Sequence, residues 1–173
     1  MVRCGMGNEK QFKTKTKFVA TRGVKEYRET IATWVTGRDV VLEIGCEWGT
    51  TTTLIAPHCK EVIGVDIGAD CIERARAKHP ELRFEVLDAF DVRAAQALGK
   101  DFTKIYIDMS GISGYRSLLD LIALLNMYAT VLRPEAIIVK SGALKHFASH
   151  CIAWRSERDK VAPDETEAED EDG

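Results

Sequence analysis

The strongest constraint on the fold is a repeated alternation of short apolar runs with longer stretches of helical periodicity. Five runs rich in valine, isoleucine and leucine recur along the chain. Strands separated by helices pair in parallel and are buried on both faces, which explains why these runs are continuously apolar. The pattern predicts an α/β fold with a doubly wound, mostly parallel sheet, its strands at 40–44, 62–65, 82–87, 104–107 and 136–139.

Helices are predicted before and between these strands. The first has an amphipathic pattern, and prolines follow several of the others, where a helix ends. The predicted helices cover 24–35, 50–56, 69–78, 91–98, 117–132 and 143–154.

The composition excludes membrane-spanning and disulfide-stabilised classes of protein. Of the 173 residues, 45% are hydrophobic and 29% are charged, which is ordinary for a globular domain. Every apolar run is shorter than the roughly 18 residues that a spanning helix needs. The five cysteines are widely spaced and form no CxxC pair. We therefore expect reduced thiols, a cytoplasmic location and no membrane partner.

Charge divides the chain into three segments. Residues 1–23 carry six basic residues and one acidic residue, whereas 164–173 carry seven acidic residues and no basic one. We predict a basic N-terminal arm at 1–23, a folded domain at 24–160 and an acidic disordered tail at 161–173. A basic arm favours an anionic partner such as nucleic acid, although a solvated surface segment has the same composition.

Each predicted strand ends near a polar side chain. In an open parallel sheet, ligands bind outside the carboxyl ends of the strands. Five polar residues in that position are therefore expected to face one crevice. They are Glu43, Asp66, Asp88, Asp108 and Lys140.

A glycine-rich segment, EIGCEWG at 43–49, joins the first predicted strand to its helix. Gly45 and Gly49 permit a tight turn and a close approach of a ligand to the backbone. Their G-x-x-x-G spacing differs from the G-x-G-x-x-G of dinucleotide-binding loops, and the Gly-Lys-Ser/Thr of a phosphate loop is absent from the segment. Glu47 would also repel a pyrophosphate. The turn therefore favours a ligand with a positive centre over NAD or ATP.

Two further acidic residues favour a nucleoside. Asp66 ends the second predicted strand, where a carboxylate can accept hydrogen bonds from both ribose hydroxyls. Asp88 follows the third, where it can accept from an adenine amino group, and Ile67, Ala89 and Phe90 can cover the base. S-adenosylmethionine, a nucleoside without phosphates and with a positive head group, fits this set.

Residues 40–140 resemble the core of the class I S-adenosylmethionine-dependent methyltransferases. VLEIGCEWG resembles the glycine-rich first motif of that family, VIGVDIG its second and FEVLDAF its third. The resemblance implies a Rossmann-like sheet and S-adenosylmethionine as cofactor. The cofactor-binding residues that it implies are Glu43, Gly45, Cys46, Glu47, Trp48, Gly49, Asp66, Ile67, Asp88, Ala89 and Asp108.

The segments IYIDMSG and IIVKS resemble RNA ribose 2′-O-methyltransferases of the fibrillarin and ribosomal heat-shock types. The sequence has neither the NPPY or DPPY tetrad of nitrogen methylation nor the Pro-Cys motif of cytosine methylation. By this resemblance Lys140 is the base for the 2′-hydroxyl, while Asp108 and Lys25 position and tune it. O-methylation of RNA ribose is implied, with RNA bound through the basic arm.

The sequence after the last predicted strand leaves other functions open. The class I core ends with an antiparallel hairpin, which we expect to be shortened or absent here because few residues follow 140. A small-molecule or protein methyltransferase and a cofactor-binding, non-catalytic subunit are the alternatives. The acidic residues form no convincing metal triad, so we expect no metal.

Overall fold

A six-stranded sheet with helices on both faces forms the described part of the chain. The computed structural model describes residues 14–112 and 114–152. The strands are β1 (Lys17–Thr21), β2 (Val40–Ile44), β3 (Glu61–Asp66), β4 (Arg83–Val86), β5 (Lys104–Ile107) and β6 (Ala136–Lys140). Their order is β1-β6-β5-β2-β3-β4, and every neighbouring pair is parallel. The predicted fold class is confirmed.

The helices cover the two faces of the sheet in separate groups. They are α1 (Val24–Glu29), α2 (Ile31–Trp34), α3 (Thr50–Ile55), α4 (Ala69–Lys78), α5 (Val92–Ala97), α6 (Leu118–Val131) and α7 (Gly142–His150). On one face, Tyr27 and Ile31 pack with Tyr106 and Ile138 of the sheet. On the other, α5 and α6 cover the larger apolar cluster, in which Leu124 is fully buried.

The first strand corrects the prediction of a basic arm at 1–23. Lys17–Thr21 form β1, which pairs with β6 over its full length. The Thr16 hydroxyl anchors the start of β1 by donating to the Pro134 carbonyl at 2.7 Å. Because β1 is an edge strand, its Phe18 side chain is 46% exposed, and its sequence lacks the long apolar run of the buried strands. Charge was therefore a misleading guide to this segment.

β1 occupies the edge of β6 at which the class I resemblance implies an antiparallel hairpin. After β6, the described chain continues only into α7, and all described strand pairs are parallel. The expected shortening or loss of the hairpin thus holds for the chain up to residue 152. The predicted tail at 161–173 and the first residues of the predicted arm, 1–13, lie outside the described residues.

A buried ion cluster lies at the amino ends of the central strands. The Lys104 ammonium lies 2.9 Å from the Asp39 carboxylate and 2.5 Å from that of Glu135. The side chains of Lys104 and Asp39 are only 6% and 1% exposed. Burial would raise the pKa of Asp39, but hydrogen bonds from Lys104, Thr103 and Thr36 outweigh it and lower that pKa to about 2.

We expect Asp39→Ala to lower the free energy of unfolding by about 3 kcal/mol, because the buried Lys104 ammonium loses its most buried partner. The native pKa of Asp39 is depressed, so its stabilisation is complete above about pH 4 and is lost as the pH falls towards 2. Urea denaturation at neutral and acidic pH measures both effects. Lys100→Ala is the control, since its ion pair with Glu61 is more exposed; an equal loss in the two variants would contradict this role.

Candidate active site

The carboxyl ends of the strands bring together most of the polar residues that the sequence singled out. Asp66 ends β3 and Lys140 ends β6, while Glu43 is the last residue but one of β2. Asp108 directly follows β5, and Asp88 follows β4 after one residue. The predicted convergence on one edge of the sheet is therefore what the topology produces.

The glycine turn after β2 has a left-handed backbone at alternate residues. The φ angles of Gly45, Glu47 and Gly49 are 80°, 49° and 78°, a region that glycine adopts without strain. The backbone nitrogens of Gly45 and Cys46 both donate to the Val65 carbonyl, at 2.8 and 3.0 Å. The turn is thereby fixed to the end of β3.

Both glycines are also required by close contacts. A Cβ on Gly45 would overlap the carbonyl oxygen of Asp108. A Cβ on Gly49 would lie 2.6 Å from the ring of Phe84. The turn is consequently packed between the loop after β5 and the side chains of β4, with no room for a larger residue at either position.

The Asp66 carboxylate is oriented by two backbone groups. Its Oδ2 accepts a hydrogen bond from the Glu47 nitrogen at 3.0 Å, and its Oδ1 accepts one from the Gly68 nitrogen at 2.9 Å. Each oxygen can accept a further hydrogen bond. The carboxylate is therefore held in place while it remains able to receive the two hydroxyls of a ribose.

Glu43 is a buried acid beneath the turn. Its side chain accepts a hydrogen bond from the Thr52 hydroxyl at 2.5 Å. Burial raises the pKa of Glu43 to about 7, and the charges of Asp108 and Asp66 add to the rise, whereas the Thr52 hydrogen bond and the charge of Arg28 oppose it. A positively charged ligand at this edge would stabilise the carboxylate form.

Large apolar side chains are exposed on three neighbouring loops at the same edge. Trp48 is 44%, Ile67 is 70% and Phe90 is 47% exposed. The guanidinium carbon of Arg74 lies 5.8 Å from the centre of the Trp48 ring. Flat apolar surface beside a few oriented polar groups is typical of small-molecule sites and suits a nucleic base.

The side chains of two expected cofactor-binding residues, Ala89 and Cys46, are buried among apolar neighbours. Ala89 is 4% exposed, and its carbonyl accepts a hydrogen bond from the Tyr128 hydroxyl at 2.9 Å. Cys46 is also 4% exposed, and burial raises the pKa of its thiol well above the usual range. Asp88 orients its own loop, since its Oδ1 accepts from the Phe90 nitrogen at 2.9 Å.

The structure brings together two of the three expected catalytic residues. The ammonium of Lys140 and the carboxylate of Asp108 form an ion pair, with 25% and 19% of their side chains exposed. The Asp108 nitrogen donates to the Ile44 carbonyl at 2.9 Å, which fixes the pair beside the glycine turn. A partly shielded lysine and carboxylate can hold or move a proton at this point.

The third expected residue, Lys25, is exposed on α1. Its side chain is 89% exposed, and its ammonium lies 3.9 Å from the Glu29 carboxylate on the same helix. Other residues of α1 face the interior of the protein. Tyr27 is fully buried, and Arg28 donates from Nε to the Thr51 hydroxyl at 3.1 Å.

Sequence reasoning missed Tyr27 and Arg28 because a helical pattern does not state which polar group faces the site. The available signal was their position two and three residues after Lys25 in the same predicted helix.

Among the described residues, no group of three His, Cys, Asp or Glu side chains could hold a metal ion. No described helix is long and apolar enough to cross a membrane.

We expect Gly45→Ala to lower the free energy of unfolding by about 3 kcal/mol, because it combines a left-handed φ with a clash against the Asp108 backbone. Gly99→Ala is the matched control, since Gly99 has a φ of 71° but a Cβ there would meet no atom within 4 Å. It should lose only about 1 kcal/mol. Thermal and urea unfolding measure both; equal losses would contradict the close approach of Gly45 to Asp108.

Comparison with known proteins places the chain in a family. A family model described as a methyltransferase domain matches residues 41–135, which is more than half of the chain. No curated protein matches the sequence significantly.

Solved structures that match share the fold. DesVI from Streptomyces venezuelae is 21% identical, with a TM-score of 0.53, and the match covers 68% of this chain and 51% of that one. The sugar N-methyltransferase KedS8 from a Streptoalloteichus species is 16% identical, with a TM-score of 0.50, and the match covers 68% of this chain and 46% of that one. The chain thus spans about half the length of these structures.

These findings support the class I resemblance and the cofactor that it implies. They give no support to the narrower resemblance to fibrillarin-type and heat-shock-type enzymes. With its parallel sheet, glycine turn and acidic strand ends, the chain belongs to the methyltransferase-domain family of S-adenosylmethionine-dependent enzymes.

Proposed function

We propose that this chain transfers the methyl group of S-adenosylmethionine to a hydroxyl oxygen, and that Lys140 accepts the proton of that hydroxyl. The observation that carries the proposal is the ion pair of Lys140 with Asp108 at the ends of adjacent strands, directly beside the glycine turn. A hydroxyl is a poor nucleophile and needs a base in the transition state. The lysine is the base, and the aspartate positions it.

The residues around the glycine turn fit S-adenosylmethionine by their chemistry. Asp66 receives the ribose hydroxyls, Ile67 and Phe90 cover the adenine, and Asp88 lies at the loop beside it. Glu43, at the methionine end, is a buried carboxyl that a positive charge would stabilise. The cofactor supplies an electrophilic methyl group on a sulfonium leaving group.

The protein contributes orientation and proton transfer. Asp108 holds the Lys140 side chain at the strand ends through their ion pair, which fixes the direction from which the acceptor hydroxyl approaches. As the O–C bond forms and the C–S bond breaks, the hydroxyl proton passes to Nζ of Lys140. A lysine accepts a proton only in its neutral form, so the step requires Lys140 to be neutral when the acceptor hydroxyl is in place.

Separate observations support two classes of methyl acceptor. A ribose hydroxyl of RNA is supported by the Asp108–Lys140 pair and by the basic side chains of Arg22, Lys25 and Lys145 on the elements around the end of β6. A hydroxyl of a small molecule is supported by the strand that replaces part of the expected RNA-binding arm.

We expect Lys140→Ala to reduce methyl transfer by at least about 100-fold, as for loss of a general base, while S-adenosylmethionine still binds. Asp108→Asn should reduce it less, because Lys140 remains but loses its orienting charge. Single-turnover methyl transfer and cofactor affinity by calorimetry measure the two effects. Lys100→Ala, at the opposite end of the sheet, is the control. Full activity in Lys140→Ala would contradict the assignment.

The acceptor itself is identified by transfer of a labelled methyl group from S-adenosylmethionine to separate RNA, metabolite and protein fractions. RNA as acceptor predicts labelling at a ribose oxygen, with an affinity that falls steeply with salt, and a loss of activity in Lys25→Ala. A small-molecule acceptor predicts labelling in the metabolite fraction, with Lys25→Ala fully active. Labelling on nitrogen or carbon would contradict O-methylation, and transfer to no fraction would contradict the proposed activity.

A further inference from the structure

Tyr27 has a buried hydroxyl without a hydrogen-bond partner. Among the described residues, two side-chain polar atoms are in this condition, the Tyr27 hydroxyl and Nε2 of His79. Tyr27 is 0% exposed. A buried donor that makes no hydrogen bond destabilises the folded protein and calls for an explanation. Tyr27 packs on the face of the sheet that also carries Glu43, so ligand binding at Glu43 offers a physical reason for the unpaired hydroxyl.

The strand register places Glu43 on the face of the sheet against which Tyr27 packs. Glu43 of β2 is the direct neighbour of Tyr106 on β5, and neighbouring side chains in register share one face of the sheet. On that face, the ring of Tyr27 meets the ring of Tyr106 edge-on, with centres 5.3 Å apart. The hydroxyl of Tyr106 is already paired with that of Thr30, at 3.1 Å. Of the two hydroxyls, only that of Tyr27 has no hydrogen-bond partner among the described residues.

The two nearest acidic groups differ in what they can accept. Burial raises the pKa of Tyr27 well above its usual value, and the charges of Glu43 and then Asp108 add to the rise, so its hydroxyl remains a donor. The charge of Asp108 is already compensated by its ion pair with Lys140. Glu43 has one described hydrogen bond, from Thr52, and as a carboxylate it can accept more.

We infer that Tyr27 is a positioning residue of the cofactor site: when S-adenosylmethionine is bound, the Tyr27 hydroxyl donates a hydrogen bond to the Glu43 carboxylate and holds it towards the positive end of the cofactor. This inference rests on the proposed function for the identity of the ligand. It links α1, which precedes the matched methyltransferase domain, to the glycine turn within it.

The arrangement predicts that the affinity for S-adenosylmethionine depends on the protonation state of Glu43. The groups that act on Glu43 are Asp108 after β5, Asp66 of β3, Arg28 of α1 and Thr52 of α3, and burial sets its pKa near 7 before binding. A positive ligand and a new donor both favour the carboxylate and lower that pKa. Cofactor affinity is therefore constant above about pH 7 and falls as the pH drops below it.

Tyr27→Phe and Tyr106→Phe are a matched pair of variants for the test. Tyr27→Phe removes an unpaired hydroxyl, so the cofactor-free protein should melt at the same temperature or a few degrees higher. Its affinity for S-adenosylmethionine at pH 8 should fall about tenfold, the effect of one hydrogen bond to a charged group. Tyr106→Phe removes a paired hydroxyl and should show the opposite pattern, a lower melting temperature with unchanged affinity.

The pH dependence separates this role from simple packing. The affinity difference between Tyr27→Phe and the native protein should narrow below about pH 7, because Glu43 becomes protonated in both and no longer attracts the donor. In a Glu43→Gln background, Tyr27→Phe should have a clearly smaller effect. Calorimetric titrations with S-adenosylmethionine from about pH 5.5 to about pH 8.5, on either side of the Glu43 pKa, measure these quantities.

Several results would overturn the inference. Equal affinity in Tyr27→Phe and the native protein, a loss of affinity that is the same at every pH, or an undiminished loss in the Glu43→Gln background would each exclude a hydrogen bond to Glu43. A native protein that binds no S-adenosylmethionine would overturn the proposed function itself. Native binding with an unaffected Tyr27→Phe would overturn only the role of Tyr27.

Discussion

The contact of Gly45 with the Asp108 carbonyl determines how the carboxyl edge of the sheet is assembled. It brings the turn after β2 against the loop after β5 with no side chain between them. As a result, Glu43 beneath the turn and the Asp108–Lys140 pair belong to one packed edge rather than to two independent loops. The separation between the glycine turn and the Asp108–Lys140 pair is thus set by backbone packing, which side-chain motion alters little.

Charged side chains are arranged differently at the two ends of the sheet. At the amino end, Lys104 is enclosed by Asp39 and Glu135, so each buried charge has a partner. At the carboxyl end, the one hydrogen bond that Glu43 makes within the described residues comes from the Thr52 hydroxyl, and burial raises its pKa to about 7. The balanced cluster stabilises the fold, whereas the unbalanced acid is suited to a positive ligand.

The elements that the sequence predicted correctly are chiefly the strands that are buried on both faces of the sheet. Strands β2 to β6 were predicted because both faces of a covered parallel sheet must be apolar, and the positions of Asp66, Asp108 and Lys140 at their ends followed from the topology. β1 was missed because an edge strand needs no such pattern. Lys25 was predicted from a family resemblance, whereas Tyr27 faces inward because α1 packs against Tyr106, a tertiary contact that no local pattern records.

The pairing of β1 with β6 also has a consequence for the order of folding. Thr16 and Pro134, which join at the start of this pair, are 118 residues apart in the chain. A growing polypeptide can form β2, β3 and β4 with their helices from neighbouring segments, but its first strand has no place to dock until the last strand has been synthesised. Contacts between distant segments form slowly, so completion of the sheet beside Lys140 is expected to be a late event, after the cofactor half has taken shape.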